Sequence, residues 1–451
     1  MNLDKPRVTV VTSRQPRQAR RDDFAVNEKD LPQHLSQALT DYHYSAWEVY
    51  QKLPFPNKTD EPWRRTEISK LPFNKFIKDK NEAFTAPDPL LVESRNTQEY
   101  AGQVVLTGDQ VYTSISEELE QNGIIFTDFR TAELLHADLL ADLLGKIVKA
   151  EDGKFAALAS AFGQDGIFLY VPKGVRIEQP LHSLFWGAPA FSTQFSHILV
   201  WLEANSEITL VHEFASDPLD AAESAFHCGM VELHVDQGAK LNFVEMQSWG
   251  EDVWSITHEK AKVGRDGKLE WVYGAVGTRF TKNFSDIDLD APGAQARMAG
   301  FYFTDGQQHF DLDTQQNHFA ENTNSDLLFK GVLFGQSRAV WQGMIYVAPG
   351  ADKSDGYQSN KNLILSKTAR ADSIPGLEIL ANDVRCSHGA TVSNIDETEL
   401  FYLQSRGIPP KEAEKLVVKG FFSAILERIP VNEIRDRVAQ KIDMKLDNKL
   451  S

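Results

Sequence analysis

The sequence predicts a mainly β protein with helical ends. Short β-branched and aromatic runs recur between residues 162 and 393, and turn residues break them roughly every 26 to 33 positions. Helical periodicity is confined to the flanks. Residues 1–30 read as a disordered arm, in which Arg14, Arg17, Arg20 and Arg21 faintly resemble a transit peptide but lie among Asp4, Asp22 and Asp23. Residues 31–161 read as a helical and small α/β region. Leu31, Leu35, Leu39, Tyr42, Ala46, Val49, Tyr50 and Leu53 form its opening helical stripe, stopped by Pro54 and Pro56. The compact string Glu61-Pro62-Trp63-Arg64-Arg65-Thr66-Glu67 follows, and mixed strand and helix signals run from Val104 to Ala161.

In the β zone, residues 167–171, 198–202, 208–213, 230–235, 241–247 and 269–273 read as strands, with period-2 alternation clearest from Lys240 to Met246. Turns fall at Pro172-Lys173-Gly174, Ala204-Asn205-Ser206, Asp236-Gln237-Gly238, Asp266-Gly267 and Pro292-Gly293-Ala294. The interval suits one coil of a solenoid, whereas many short strands suit a β-sandwich equally. Pattern alone leaves both open. Residues 394–451 return to helix. Asp396 and Glu399 read as a cap, Gly407 as a stop, and Pro409-Pro410 as the start of a second helix carrying Ala413, Leu416, Val417, Phe421, Ala424 and Ile425 on one face. After Pro430 a third stripe runs through Val431, Ile434, Val438, Ile442 and Leu446. Stripes of this kind usually serve a core. A small terminal domain carries more of them than it can bury alone, so docking is their second use.

Charge narrows the partners. The chain has 47 Lys and Arg against 64 Asp and Glu, a formal charge of −17, which repels phosphate backbones and argues against nucleic acid. No apolar run approaches the roughly 20 residues that span a bilayer, and no signal-peptide core is apparent, so no membrane association is expected. Cys228 and Cys386 are the two cysteines, too few for a disulfide framework, and a reducing cytoplasm fits them.

Self-sufficient chemistry is hard to find. Gly145-Lys146-Ile147, Gly153-Lys154-Phe155 and Gly267-Lys268-Leu269 lack the pattern of a phosphate-binding loop, and His212-Glu213 and His258-Glu259 lack the second histidine of a zinc protease helix. His309, Asp311 and Asp313 would share one face of a strand, with His318 nearby, and imidazole with carboxylate can hold a metal. The plainer reading is a strand face pairing with its neighbours. Cys386-Ser387-His388-Gly389-Ala390-Thr391 places a thiol and an imidazole on the same side of an extended segment, about 7 Å apart. A closed zinc site needs four ligands and a cluster site usually four cysteines. These two residues are therefore either ordinary packing or half of a site completed by another chain.

Residues 324–333, 358–363, 374–379, 386–391 and 400–408, with Pro62-Trp63-Arg64-Arg65-Thr66 upstream, resemble the SufB/SufD family of the SUF iron–sulfur cluster assembly system. The resemblance covers roughly the last 130 residues densely and the preceding β zone loosely. Ser387 and Gly389 stand where the SufB-like version places acidic residues, which favours the SufD branch. The resemblance implies a right-handed parallel β-helix between helical ends. It also implies a non-enzymatic scaffold that works with a SufB homologue and a SufC ATPase homologue. A transient iron–sulfur cluster would form at the SufB interface, with His388 implicated and Cys386 beside it, and no cofactor would stay on the isolated chain. SufC would dock on the terminal helices, where Leu416, Val417, Phe421 and Phe422 are the candidate contacts. Alone, the chain could form a homodimer. The rival readings are a metalloenzyme using His309, Asp311, Asp313 and His318, and a purely structural partner of SufB and SufC.

Overall fold

A computed structural model describes residues 26–68, 71, 73, 100–108, 110–187, 190–219 and 223–450. Residues 1–25 of the expected arm lie outside the described residues, while Glu28–Asp30 forms a 3-10 turn capped by Asn27. Helix α1 (Gln37–Lys52) buries Leu39, Ala46 and Tyr50 of the expected stripe together with His43 and Trp47, leaves Leu35 exposed ahead of its start, and ends just before Pro54. Helix α2 (Glu117–Gln121) and helix α3 (Phe129–Leu143) follow. Helix α4 (Lys154–Phe162) is small-residue rich and buried along its whole length. It lies against α1, where the Trp47 and Phe162 rings meet at 5.6 Å. Lys154 Nζ donates to the Tyr50 and Leu53 carbonyls at 2.7 and 3.1 Å, which satisfies the last carbonyls of α1.

Among the described residues the strands form two sheets, one of ten and one of nine, and consecutive strands of the solenoid alternate between them. Strand Gly102–Thr107 joins the ten-stranded sheet from the N-terminal region, antiparallel to Gln110–Ile115 and parallel to Leu181–Trp186. From Asp165–Val171 onward, every strand lies parallel to the strand one coil later. The register step ranges from 26 residues, between Trp254 and Phe280, to 33, between Glu207 and Lys240. A parallel ladder in which each strand pairs with the one a coil later is a β-solenoid; a sandwich would pair its neighbours antiparallel. The corners fall at the expected turns. Asn205, Asp266 and Gly293 there take positive φ (61°, 54° and 77°), a conformation open to Asn, Asp and above all Gly.

The three largest apolar clusters among the described residues account for most of the packing. Alternate strand positions such as Leu241, Phe243, Trp271, Phe310 and Leu327 fill the lumen. The outer face of the nine-stranded sheet packs on α1 and α4 through Phe195, Phe226, Ile256 and Phe280. The outer face of the ten-stranded sheet supplies Val211, Val244, Val272, Phe301 and Val332, and the C-terminal helices cover it. Those helices are α5 (Glu397–Ser405), α6 (Pro410–Leu426) and α7 (Asn432–Leu450). Asp396 caps α5 through the Thr398 amide (2.8 Å), and Gly407 takes φ 87° after its end. Ile434, Val438 and Ile442 of α7 are buried on the sheet as the stripe predicts, whereas α6 buries Ala413, Val418, Phe422 and Ile425 and leaves Leu416 and Ala424 of the expected face exposed, because its inward face is turned by about one residue. No helix among the described residues is long and apolar enough to cross a membrane.

Candidate functional site

Among the described residues, nothing caps the end of the solenoid. Strand Arg385–Asn394 terminates the ten-stranded sheet and pairs only with Asp355–Ile364 within it. Strand Arg370–Ile379 likewise terminates the nine-stranded sheet beside Arg338–Val347. Pro375 sits in this edge strand, the place where a proline does not break a ladder. Register identifies the inward positions. Leu377 and Ile379 continue the lumenal row of Ile345 and Val347, and Cys386, His388 and Val392 continue that of Gly356, Gln358 and Asn362. Earlier coils bury such residues completely. Here Leu377, Ile379 and Val392 are 36%, 38% and 50% exposed, because no further coil covers them.

Cys386 is half-buried beside Ile345, Val347 and Val384. A Cβ placed at Gly356 would meet Cys386 Sγ and His318 Nε2, each at 3.3 Å. The missing side chain therefore lets the thiol and a lumenal imidazole close on the same point. Desolvation raises the Cys386 pKa, and Asp355 adds to the rise, so the group rests as a thiol. Burial lowers His318 to about 4, and its two ring nitrogens lie 2.8 Å from the Thr323 and Ser325 hydroxyls. His388 stands two residues beyond Cys386 on the same side, exposed at the mouth of the lumen. The arrangement leaves a thiol and an imidazole, side chains of types that can ligate iron, in an open setting.

The docking candidates divide by depth. Phe422 is fully buried, its ring 5.7 Å from Phe301 of the ten-stranded sheet. Phe421 is half-buried against Phe422 and under Lys330. Val417 is half-buried and Leu416 is 48% exposed. The sequence reading missed Phe401 and Tyr402 of α5, which are 73% and 57% exposed. Both fall inside the 400–408 motif, yet no periodicity distinguished them from core aromatics.

The metal set on the solenoid wall does not converge. His309, Asp311 and Asp313 do face outward together from strand His309–His318, but His318 faces the lumen at the opposite end. Lys282 Nζ occupies the carboxylates, 3.0 Å from Asp311 and 2.9 Å from Asp313. Among the described residues, no three His, Cys, Asp or Glu side chains could hold a metal ion. The N-terminal string fills this place instead. Thr66 Oγ1 donates to Asp311, Lys282 donates to the Pro62 carbonyl (2.7 Å), and Arg65 donates to Gln342 (3.0 Å), which itself donates to Asp313 (2.7 Å).

The sequence is similar to those of known proteins. Residues 185–421 match the family model described as "SUF system FeS cluster assembly, SufBD core domain", and residues 17–182 match "SufBD protein N-terminal region". The iron-sulfur cluster assembly protein SufD of Bacillus subtilis (strain 168) is 29% identical over 419 residues, covering 90% of this chain and 94% of the relative. An iron-sulfur cluster assembly SufBD family protein of Staphylococcus epidermidis (strain ATCC 12228 / FDA PCI 1200) is 28% identical over 413 residues, 88% of this chain and 86% of its own length. One from Staphylococcus aureus (strain USA300) is 28% identical over 411 residues, 87% and 86% of the two chains. With a parallel β-solenoid between helical ends and both family models matched, the chain belongs to the SufBD family of iron–sulfur cluster assembly proteins.

Proposed function

We propose that this chain is the SufD-type scaffold of a cytoplasmic assembly complex and that a SufB-type partner covers its uncapped last coil. The observation that carries this reading is the open coil itself. It presents unpaired strand edges and exposed lumenal side chains, the features that invite another chain to add strands. His388 and Cys386 lie at that surface, so the half-site would be completed by residues of the partner, and iron and sulfide are cargo built there. A SufC-type ATPase would dock on the outer side of α5 and α6, where Phe401, Tyr402 and Leu416 remain exposed. The absence of a phosphate-binding loop in the sequence favours a scaffold that hydrolyses nothing itself. Alone, the chain could use the same edge to pair with a second copy.

Co-purification with tagged SufB and SufC homologues, followed by iron and sulfide analysis, tests the reading. The Ile379→Lys/Val392→Lys variant should lose the SufB homologue and its cluster while keeping its melting temperature. An undiminished complex would place the interface elsewhere. The reading as a purely structural partner is separated by His388→Ala, which that reading leaves without effect on cluster content.

A further inference from the structure

A cavity of about 520 Å³ lies where the N-terminal string crosses the outer face of the nine-stranded sheet. One register row forms its floor. Trp254, Phe280, His309 and Arg338 occupy equivalent positions on four successive coils, and Arg370 extends the row on the fifth. Parallel pairing sets these side chains about 4.8 Å apart. The rings stack on one another along the row: Trp254 and Phe280 are 5.4 Å apart with planes 32° from parallel, Phe280 and His309 5.7 Å apart and 20° from parallel. Burial lowers His309 to about 4, so it presents a neutral ring. Lys58, Arg64 and Arg65 form the facing wall, and Arg279 rises from the turn before Phe280.

Charge in the cavity runs against that of the chain. Lys58 pairs with Glu67 (2.8 Å), Arg65 and Arg64 share Glu61 (3.0 and 3.4 Å), and Arg338 and Arg370 share Asp372 (2.7 and 2.9 Å). Arg279 donates to Gln307 (2.8 Å), with Asp252 the carboxylate that feels its charge. The lining itself holds five cations, Lys58, Arg64, Arg65, Arg279 and Arg338, and one carboxylate, Glu67, on a protein whose formal charge is −17. Two features coincide here. An aromatic stack whose end member, Trp254, is part-exposed can take one more planar ring, and guanidinium forks of partial occupancy donate to phosphate oxygens. We propose that this cavity binds a nucleoside phosphate, its base against the Trp254–His309 row and its phosphates between Arg64 and Arg279.

Titration calorimetry on the full chain, in separate arms with ADP, inorganic pyrophosphate and adenosine, tests the assignment. ADP should bind more tightly than either fragment. The Arg64→Ala/Arg279→Ala variant should weaken ADP and pyrophosphate by about tenfold or more, and Trp254→Ala should weaken ADP while sparing pyrophosphate. Arg64 is 65% exposed, so its loss should leave the melting temperature unchanged; Lys58→Ala, from another part of the wall, gives a second loss of affinity. Absence of ADP binding at about 1 mM, or binding that the double variant leaves intact, would overturn the proposal. Pyrophosphate binding as tight as ADP would also overturn it, by assigning the cavity to a bare anion.

Discussion

Lys282 and Asp311 face each other at 3.0 Å with both side chains fully buried. This pair explains why a string of histidine and aspartates on a solvent-like β wall is not a metal site. A lysine one coil away offsets its negative charge, and the free oxygens accept from Thr66 of the N-terminal string and from Gln342.

Lys282→Met should destabilise the protein by about 3–5 kcal/mol, because it leaves buried carboxylates uncompensated. Lys282→Met/Asp311→Leu should recover much of that loss by removing the stranded charge as well. Denaturant midpoints of the two variants check this; a single-variant cost under about 1 kcal/mol would mean that the carboxylates relieve themselves by protonation.

Glu245 and Glu259 confront one another inside the lumen. Burial first, then the charge of Glu259, raises the Glu245 pKa well above its ordinary 4.5. The folded chain therefore holds a proton that the unfolded chain releases above pH 4.5. The resulting stability is complete below that pH and drains as pH rises, by at most about 1.4 kcal/mol per pH unit for one proton. Glu245→Gln should be more stable than the parent at pH 8, with the advantage shrinking toward pH 4.5. Melting temperatures across that range decide it.

Phe422→Ala should cost about 3–5 kcal/mol, since the ring fills the seam between α6 and the ten-stranded sheet. Leu416→Ala should stay within about 0.5 kcal/mol of the parent and lower affinity for a SufC homologue. The pair of measurements, an unfolding midpoint and a binding isotherm, separates core from contact. Equal effects of both substitutions on stability would contradict the packing described.

His388→Ala should leave the melting temperature within experimental error, because the side chain is exposed on an edge strand. Iron and sulfide per assembled complex should nevertheless fall severely, with Cys386→Ala giving a smaller loss. Normal cluster content in the His388 variant would falsify its role in assembly.

Much of this molecule was legible in the sequence, and the reasons for the remainder are physical. The helical stripe from Leu39 to Tyr50 and the strands around 198–202 and 241–247 appeared because each buries one face with the proper period. The turns at Asn205, Asp266 and Gly293 appeared because left-handed backbone restricts residue choice. Solenoid winding did not emerge from pattern, since a strand's alternation is the same whatever lies beside it. Depth along the axis was equally hidden. Leu377 and Ile379 carry the same alternation as Ile345 and Val347, and only the end of the ladder makes one pair surface and the other core. The convergence of Cys386 and His318 at Gly356 joins residues 68 positions apart in the chain, and no local signal announces it.

The uncapped coil has an energetic consequence of its own. Because each coil touches only the next, the terminal one can fray without opening any other, so cooperativity along the axis is weakest where His388 and Cys386 sit. Backbone amides of 385–394 should exchange with solvent fastest among the solenoid strands, with protection climbing coil by coil toward the middle. A chain that adds strands to this edge would convert the frayed end into an interior, so partner binding and ordering of the two residues become one thermodynamic event.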